Sequence, residues 1–218
     1  MMSSIRILLV DDHELVRKAL AERLERERYF TVAGCVASAE AAVQESRTCD
    51  PDVILMDIDM PGLNCFEAAR QISRFRPDCR IIFLSAFFHD IYIEQALSVK
   101  ARGYLTKTES PESVVEAILE AMSGGVYFSK KVRDRITVDV KGPTFPTARK
   151  TKLSTLTPRE LETLRYIARG MSKQEISRDI GIAVKTVDRH CTNLMRKLDI
   201  HDRVELARFA IREGVAEP

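Results

Sequence analysis

The sequence contains no tryptophan, and aromatic residues make up only 6% of its 218 positions. Its nearest approach to a long apolar run, Ile81 to Phe88, is far too short for a bilayer-spanning helix, so no membrane association is expected. The five cysteines, Cys35, Cys49, Cys65, Cys79 and Cys191, are scattered, odd in number and never spaced C-x-x-C. That usage excludes a disulfide framework and a thiolate zinc site and fits a reducing cytoplasm. No secretion signal is read at the amino terminus, because Ile5–Val10 runs straight into Asp11 and Asp12. Internal repeats and low-complexity segments are absent. The four histidines, His13, His89, His190 and His201, fall on different elements without metal-ligand spacing and are read as helix-end or surface residues.

What is present is ordinary globular chemistry, 45% hydrophobic and 30% charged, with the charge unevenly placed. Residues 1–125 hold 14 Lys/Arg against 20 Asp/Glu; residues 126–218 hold 20 against 12. An acidic first half suits metal or regulatory chemistry, and a basic second half suits a polyanion.

The first half alternates short apolar runs with amphipathic stretches. Strands are predicted at Arg6–Val10, Thr31–Val36, Val53–Met56, Arg80–Ser85 and Gly103–Thr106, with helices at about 14–27, 39–48, 64–75, 90–99 and 111–123. Five β/α units in succession imply an α/β domain with a doubly wound, five-stranded parallel sheet. Gly124-Gly125 closes this domain, taken as residues 1–125. Residues 126–152, with Pro143 and Pro146, read as a linker carrying a short helix at about 130–138. From Leu153 to the end (153–218) the pattern is all-α. Thr157-Pro158-Arg159-Glu160 and Ser172-Lys173-Gln174-Glu175 both have the capping-box arrangement that opens a helix.

The strand predictions place Asp11, Asp12, Asp57, Ser85 and Lys107 at the carboxyl ends of four strands, and hence on one edge of the sheet. Ligands bind at that edge in such folds. Three crowded carboxylates repel one another and call for a hard divalent cation such as Mg2+. With Ser85 and Lys107 they form a pocket suited to a transferred phosphoryl group, in which an aspartate can act as nucleophile. Asp12 alone reads equally well as a helix cap.

The segments Leu9-Val10-Asp11-Asp12-His13, Leu55-Met56-Asp57-Ile58-Asp59-Met60-Pro61-Gly62, Leu84-Ser85-Ala86 and Gly103-Tyr104-Leu105-Thr106-Lys107 resemble the receiver-domain family, over about residues 4–125. The resemblance implies a flavodoxin-like fold with Asp57 as phospho-acceptor. It further implies that Asp12 and Asp57 give carboxylates to Mg2+, Asp11 acts through water, and Asp59 lends its backbone carbonyl. Ser85 and Lys107 would hold phosphoryl oxygens, and Tyr104 would be the aromatic switch that turns inward as Ser85 is drawn to the phosphate. Tyr104 also reads as a plain edge-strand aromatic. The Asp59 side chain lies at a position that varies in the family and is expected to tune phosphoryl lifetime.

In the tail, Val184, Val187, Cys191, Leu194, Met195 and Leu198 form an apolar stripe at helical spacing. Lys185, Asp188, Arg189, Thr192 and Arg196 fall on the opposite side, a set able to read base edges, while Thr186, His190, Asn193 and Lys197 flank it and suit phosphates. An ordinary solvated helix face would show the same pattern. Leu156–Glu160, Gly170-Met171-Ser172, Glu175-Ile176, Thr186-Val187, His190 and Lys197-Leu198 resemble the LuxR-type helix-turn-helix family over about residues 153–214. By that likeness Ser172–Ile180 is a scaffold helix, Val184–Leu198 the recognition helix, and 203–213 the usual dimer contact. Two departures stand out: Lys173-Gln174 where the family often has Asn-Lys, and Asp188 where relatives often carry a basic or small polar residue.

Together the halves resemble the NarL/FixJ class of response regulators. The implied function is regulation of transcription, without enzymatic turnover. A sensor histidine kinase would phosphorylate Asp57, and a shifted receiver conformation would control homodimerisation and binding to double-stranded DNA. Two other readings remain: a DNA-binding regulator indifferent to phosphorylation, and a phosphohydrolase of the haloacid-dehalogenase type built on Asp57-Ile58-Asp59. The second leaves Asp11 and Asp12 without a role.

Overall fold

The computed structural model describes residues 4–60, 62–86, 90–134, 137–139, 142–144 and 152–216. The chain divides near residue 145 into two compact units. In the first, strands β1 (Ile5–Val10), β2 (Phe30–Val36), β3 (Val53–Asp57), β4 (Arg80–Ser85) and β5 (Gly103–Thr106) alternate with helices α1 (Glu14–Glu25), α2 (Ala39–Thr48), α3 (Cys65–Phe75), α4 (Asp90–Ser98) and α5 (Pro111–Met122). The strands form one parallel sheet in the order β2-β1-β3-β4-β5, so the winding reverses between β1 and β3.

Burial on both faces follows from alternation along the strands. Ile7, Leu9, Val53, Leu55, Ile82, Leu84 and Leu105 point to one side, where they pack with Leu24 of α1 and Val114, Ala117, Ile118 and Ala121 of α5. On the other side Phe83 meets Phe66 of α3, ring centroids 4.8 Å apart. The intervening Leu8, Ile54 and Met56 are fully buried. Each such aliphatic side chain stabilises the fold by about 1.5–3 kcal/mol. Side-chain caps from Ser38, Asn64 and Ser110 start α2, α3 and α5.

The expected five strands gain a sixth. β6 (Tyr127–Phe128) follows the Gly124-Gly125 turn and lies parallel to β5. Two residues carry no periodicity, which is why the sequence did not disclose it. The helix expected at about 130–138 is shorter, α6 (Lys130–Arg133), and the following residues form a small antiparallel pair, β7 (Thr137–Asp139) and β8 (Gly142–Thr144). Pro146, with residues 135–136, 140–141, 145 and 147–151 of the linker, lies outside the described residues.

The second unit is helical: a 3-10 turn at Leu153–Thr155, then α7 (Pro158–Ala168), α8 (Lys173–Asp179), α9 (Val184–Leu198) and α10 (Arg203–Arg212). Both predicted capping boxes form, Thr157 with Glu160 and Ser172 with Glu175. Gly170 (φ 79°) and Gly181 (φ 65°) make the turns on either side of α8 in a left-handed conformation costly for other residues. Val187, Cys191, Leu194 and Leu198 of α9 are buried as expected, but Val184, assigned to the same stripe, is 43% exposed. It occupies the first turn of the helix, short of the packed segment.

Candidate functional site

The reversal between β1 and β3 sets their carboxyl ends side by side, and the side chains expected there converge. Asp57 is the last residue of β3 and is fully buried; Asp11, just past β1, is 2% exposed. Lys107 Nζ, just past β5, lies 2.7 Å from Asp11 Oδ2 and 2.8 Å from Asp57 Oδ2. Asp57 Oδ1 accepts a hydrogen bond from the Asp59 backbone N–H at 3.0 Å. Burial above all, then the charges of Asp59 and Asp11, push the Asp57 carboxyl up to about 6, and Lys107 only partly offsets them. Burial works against the Lys107 ammonium, yet Asp57 and Asp11 hold it above its usual value. The site is therefore rich in negative charge that one lysine does not balance.

Oxygen atoms remain available for a cation. One ligand atom each from Asp11, Asp12, His13 and Asp57 lies within 4.8 Å of the others. Asp11 Oδ2 and Asp57 Oδ2 are buried and have no hydrogen bond beyond the ion pair to Lys107. Asp12 Oδ1 is likewise buried and faces only His13 Nδ1, at 2.9 Å. Unmatched carboxylate oxygens at this density fit a hard divalent ion. His13 was dismissed in the sequence, and it does stand at the start of α1. Its ring nitrogen nonetheless also reaches Asp11 Oδ1, at 3.3 Å. Its adjacency to the Asp11-Asp12 pair was the available signal.

Asp59 goes elsewhere. Its carboxylate Oδ2 accepts from the Ala86 backbone N–H at 3.0 Å and from Ser85 Oγ at 3.3 Å, tying the end of β3 to the end of β4. Ser85 is fully buried and also hydrogen-bonded to Tyr104. The Tyr104 ring is wholly buried, and that burial pushes its hydroxyl well above the usual tyrosine value. Sequence reasoning expected an inward Tyr104 once Ser85 was drawn to a phosphate; here the ring is inward with Ser85 on Asp59. The Ala86 N–H was not singled out, since a backbone donor leaves no compositional trace.

On the second unit, Lys185, Thr186, Asp188, Arg189, Thr192 and Arg196 of α9 are exposed. The Thr192 hydroxyl donates back to the Asp188 carbonyl at 3.0 Å, a bond that engages the hydroxyl within the helix. The rest of the flanking set is different. His190, Asn193 and Lys197 are only partly exposed. Lys197 Nζ lies 2.6 Å from Glu160 Oε2, an oxygen that also caps the Thr157 N–H at 2.7 Å. Lys197 therefore braces α9 against the start of α7. Desolvation holds the His190 imidazole below its usual value, with Glu160 opposing. Asp188 is ion-paired with Lys173 of α8. The two departures from the family pattern thus meet each other, a pairing that only the α8–α9 geometry reveals.

Comparison with known proteins agrees with both halves. The response regulator receiver domain model matches residues 7–119, and the model for bacterial regulatory proteins of the luxR family matches residues 154–210. The chain is 35% identical to the response regulator UvrY of Escherichia coli (strain K12) over 97% of its own length and 95% of that protein's. It is 36% identical to the transcriptional regulatory protein LiaR of Bacillus subtilis (strain 168), covering 95% and 97%. In fold it is similar to the RcsB response regulator of Salmonella typhimurium, with a TM-score of 0.73 over 95% of this chain and 97% of that one at 22% identity.

Proposed function

The chain belongs to the response regulators, a receiver domain followed by a LuxR-type DNA-binding domain, and acts as a transcription regulator; we propose that its switch is a phosphoryl group carried on Asp57. The observation that carries this reading is the fully buried Asp57 carboxylate, flanked by Lys107 at 2.8 Å and by the unmatched oxygens of Asp11 and Asp12.

A carboxylate oxygen of Asp57 attacks the phosphorus of a phosphohistidine on a sensor kinase. The P–N bond breaks, and the imidazole leaves with a proton. Lys107 neutralises part of the charge on the incoming oxygens, and the Asp59 N–H holds Oδ1 so that the carboxylate is oriented. Asp11, Asp12 and Asp57 would hold Mg2+, with Asp59 lending its backbone carbonyl, and the ion supplies charge neutralisation during transfer. Ser85 and Tyr104 carry the change outward. The exposed face of α9, from Lys185 to Arg196, enters the major groove, and a homodimer reads two half-sites about one helical turn apart. The regulator works in the cytoplasm and turns over no substrate. Among the described residues no helix is long and apolar enough to cross a membrane.

Selection of binding sites from a random duplex pool tests this, with and without beryllofluoride and magnesium as an acyl-phosphate mimic. A two-fold motif enriched only with the mimic, and lost with it in Asp57→Asn, is expected. Equal enrichment in both arms identifies a regulator that Asp57 does not gate, and no enrichment in either arm removes the assignment of α9.

A further inference from the structure

The two donors that Asp59 engages have a property in common. Ser85 Oγ–H and the Ala86 N–H converge on a single carboxylate oxygen, Asp59 Oδ2. Two convergent donors at the end of β4, beside a buried acceptor aspartate, are what an oxygen of a phosphoryl group on Asp57 requires. Asp59 and Asp57 adjoin, the Asp59 backbone N–H donating to Asp57 Oδ1 at 3.0 Å, so their two carboxylates repel each other. Both side chains are buried, so water screens this repulsion poorly. A dianionic group on Asp57 therefore cannot take the Ser85 and Ala86 donors while the Asp59 carboxylate keeps them.

We propose that the Asp59 carboxylate is an internal stand-in for the phosphoryl group, holding Ser85 and Ala86 until a phosphoryl group on Asp57 displaces it. This rests on the reading of Asp57 as the phospho-acceptor. The consequence is twofold. Asp59 lowers the affinity of the pocket for the phosphoryl group, because occupation must first break two hydrogen bonds to a charged acceptor. It also supports the inward Tyr104 beforehand, through Ser85, so that part of the conformational change precedes phosphorylation. Asp59 is thus a positioning residue that competes with the ligand, and its effect extends past the lifetime of the phosphoryl bond.

The test is titration of the full-length protein with beryllofluoride in saturating magnesium, followed by fluorine NMR. Wild type, Asp59→Ala and Asp59→Asn are compared, each with and without Ser85→Ala. Asp59→Ala frees both donors and is expected to bind about tenfold more tightly, equivalent to about 1.4 kcal/mol. Asp59→Asn keeps an acceptor but loses the charge, and falls between Ala and wild type. Ser85→Ala should weaken binding more in the Asp59→Ala background than in the wild type, because in the wild type the bond the hydroxyl makes to the ligand is offset by the bond it gives up to Asp59. A shift in the tyrosine ring signal of Tyr104 in unliganded Asp59→Ala is the matching structural readout. Equal affinities for wild type, Asp59→Ala and Asp59→Asn overturn the proposal, as does a Ser85→Ala loss identical in both backgrounds. Absence of beryllofluoride binding by the wild type overturns the acceptor reading instead, and the inference with it.

Discussion

The two charged regions of this molecule solve opposite problems. At the sheet edge, Asp11, Asp57 and Asp59 are taken out of water and one ammonium, that of Lys107, serves Asp11 and Asp57, so the receiver keeps a surplus of buried negative charge. On α9 most charges stay in solvent, and two pairs, the exposed Lys173 with Asp188 and the more buried Lys197 with Glu160, tie one helix to another. Buried negative charge is costly until a cation completes it, which makes it suited to a switch. Solvated charge costs little and acts over distance, which suits encounter with a polyanion. Removing a single charge should accordingly have a large effect in the first region and a graded one in the second.

Lys107→Met is the harshest test of that contrast. It leaves Asp11 and Asp57 facing each other without the ammonium. The metal-free receiver should lose about 3 kcal/mol of stability in urea unfolding. Magnesium should restore part of the loss by supplying the missing positive charge, and Asp57→Asn in the same background should restore most of it. A Lys107→Met protein as stable as the wild type in EDTA would mean that the carboxylates are not the source of strain.

The Glu160–Lys197 pair sits between the extremes, since Glu160 is buried and Lys197 partly exposed. Burial works to raise the Glu160 carboxyl, but Lys197 and the Thr157 cap hold it below the usual 4.5. With the folded value below the unfolded one, the stabilisation is complete above about pH 4.5 and is lost as pH falls through the folded value. Glu160→Gln keeps a cap acceptor and loses the charge. It should cost about 1–2 kcal/mol at pH 7 and flatten the acid limb of the stability profile of this unit. An unchanged acid limb would show that the pair is not what acid breaks.

How much of this was legible in the sequence follows the same division. The parallel sheet and its polar edge were readable because strand ends and polar residues coincide: Asp57 closes β3, Ser85 closes β4, and Lys107 follows β5. Both capping boxes were readable because the motif is local. What stayed hidden depends on tertiary contact. Nothing at Lys197 or Glu160, 37 residues apart, announces their bond. Asp59 was read for its backbone carbonyl and, through its side chain, for phosphoryl lifetime, but the bonds of that side chain to Ser85 and Ala86 were not foreseen. β6 was too short to leave a pattern.

On α9, Arg196 and Lys197 are neighbours with different surroundings. Arg196 is exposed, whereas Lys197 is committed to Glu160. If the exposed face alone meets the duplex, Arg196→Met lowers the slope of log affinity against log salt by about 1, and Lys197→Met leaves that slope unaltered. Fluorescence anisotropy across a salt series measures both. Equal slope changes would mean that Lys197 leaves Glu160 on binding, and the boundary drawn here around the reading face would move.

The smallest effect is the most informative about sequence preference. The Lys173–Asp188 pair is exposed, so its coupling in the free protein should be about 0.5 kcal/mol by double-mutant cycle. If α9 enters the groove as proposed, its weight lies in recognition. A bare carboxylate at the groove repels phosphate, but one neutralised on one side by Lys173 can turn its other side to a cytosine amino group. Asp188→Asn should therefore move the preference at one base pair per half-site from cytosine toward adenine, the base that an amide side chain pairs with. Lys173→Met should weaken that preference without redirecting it, and every other position of the site should stay as it was. If both variants instead change affinity equally across all sequences, the pair is an electrostatic brace between α8 and α9, and base discrimination rests on Arg189 and its neighbours alone.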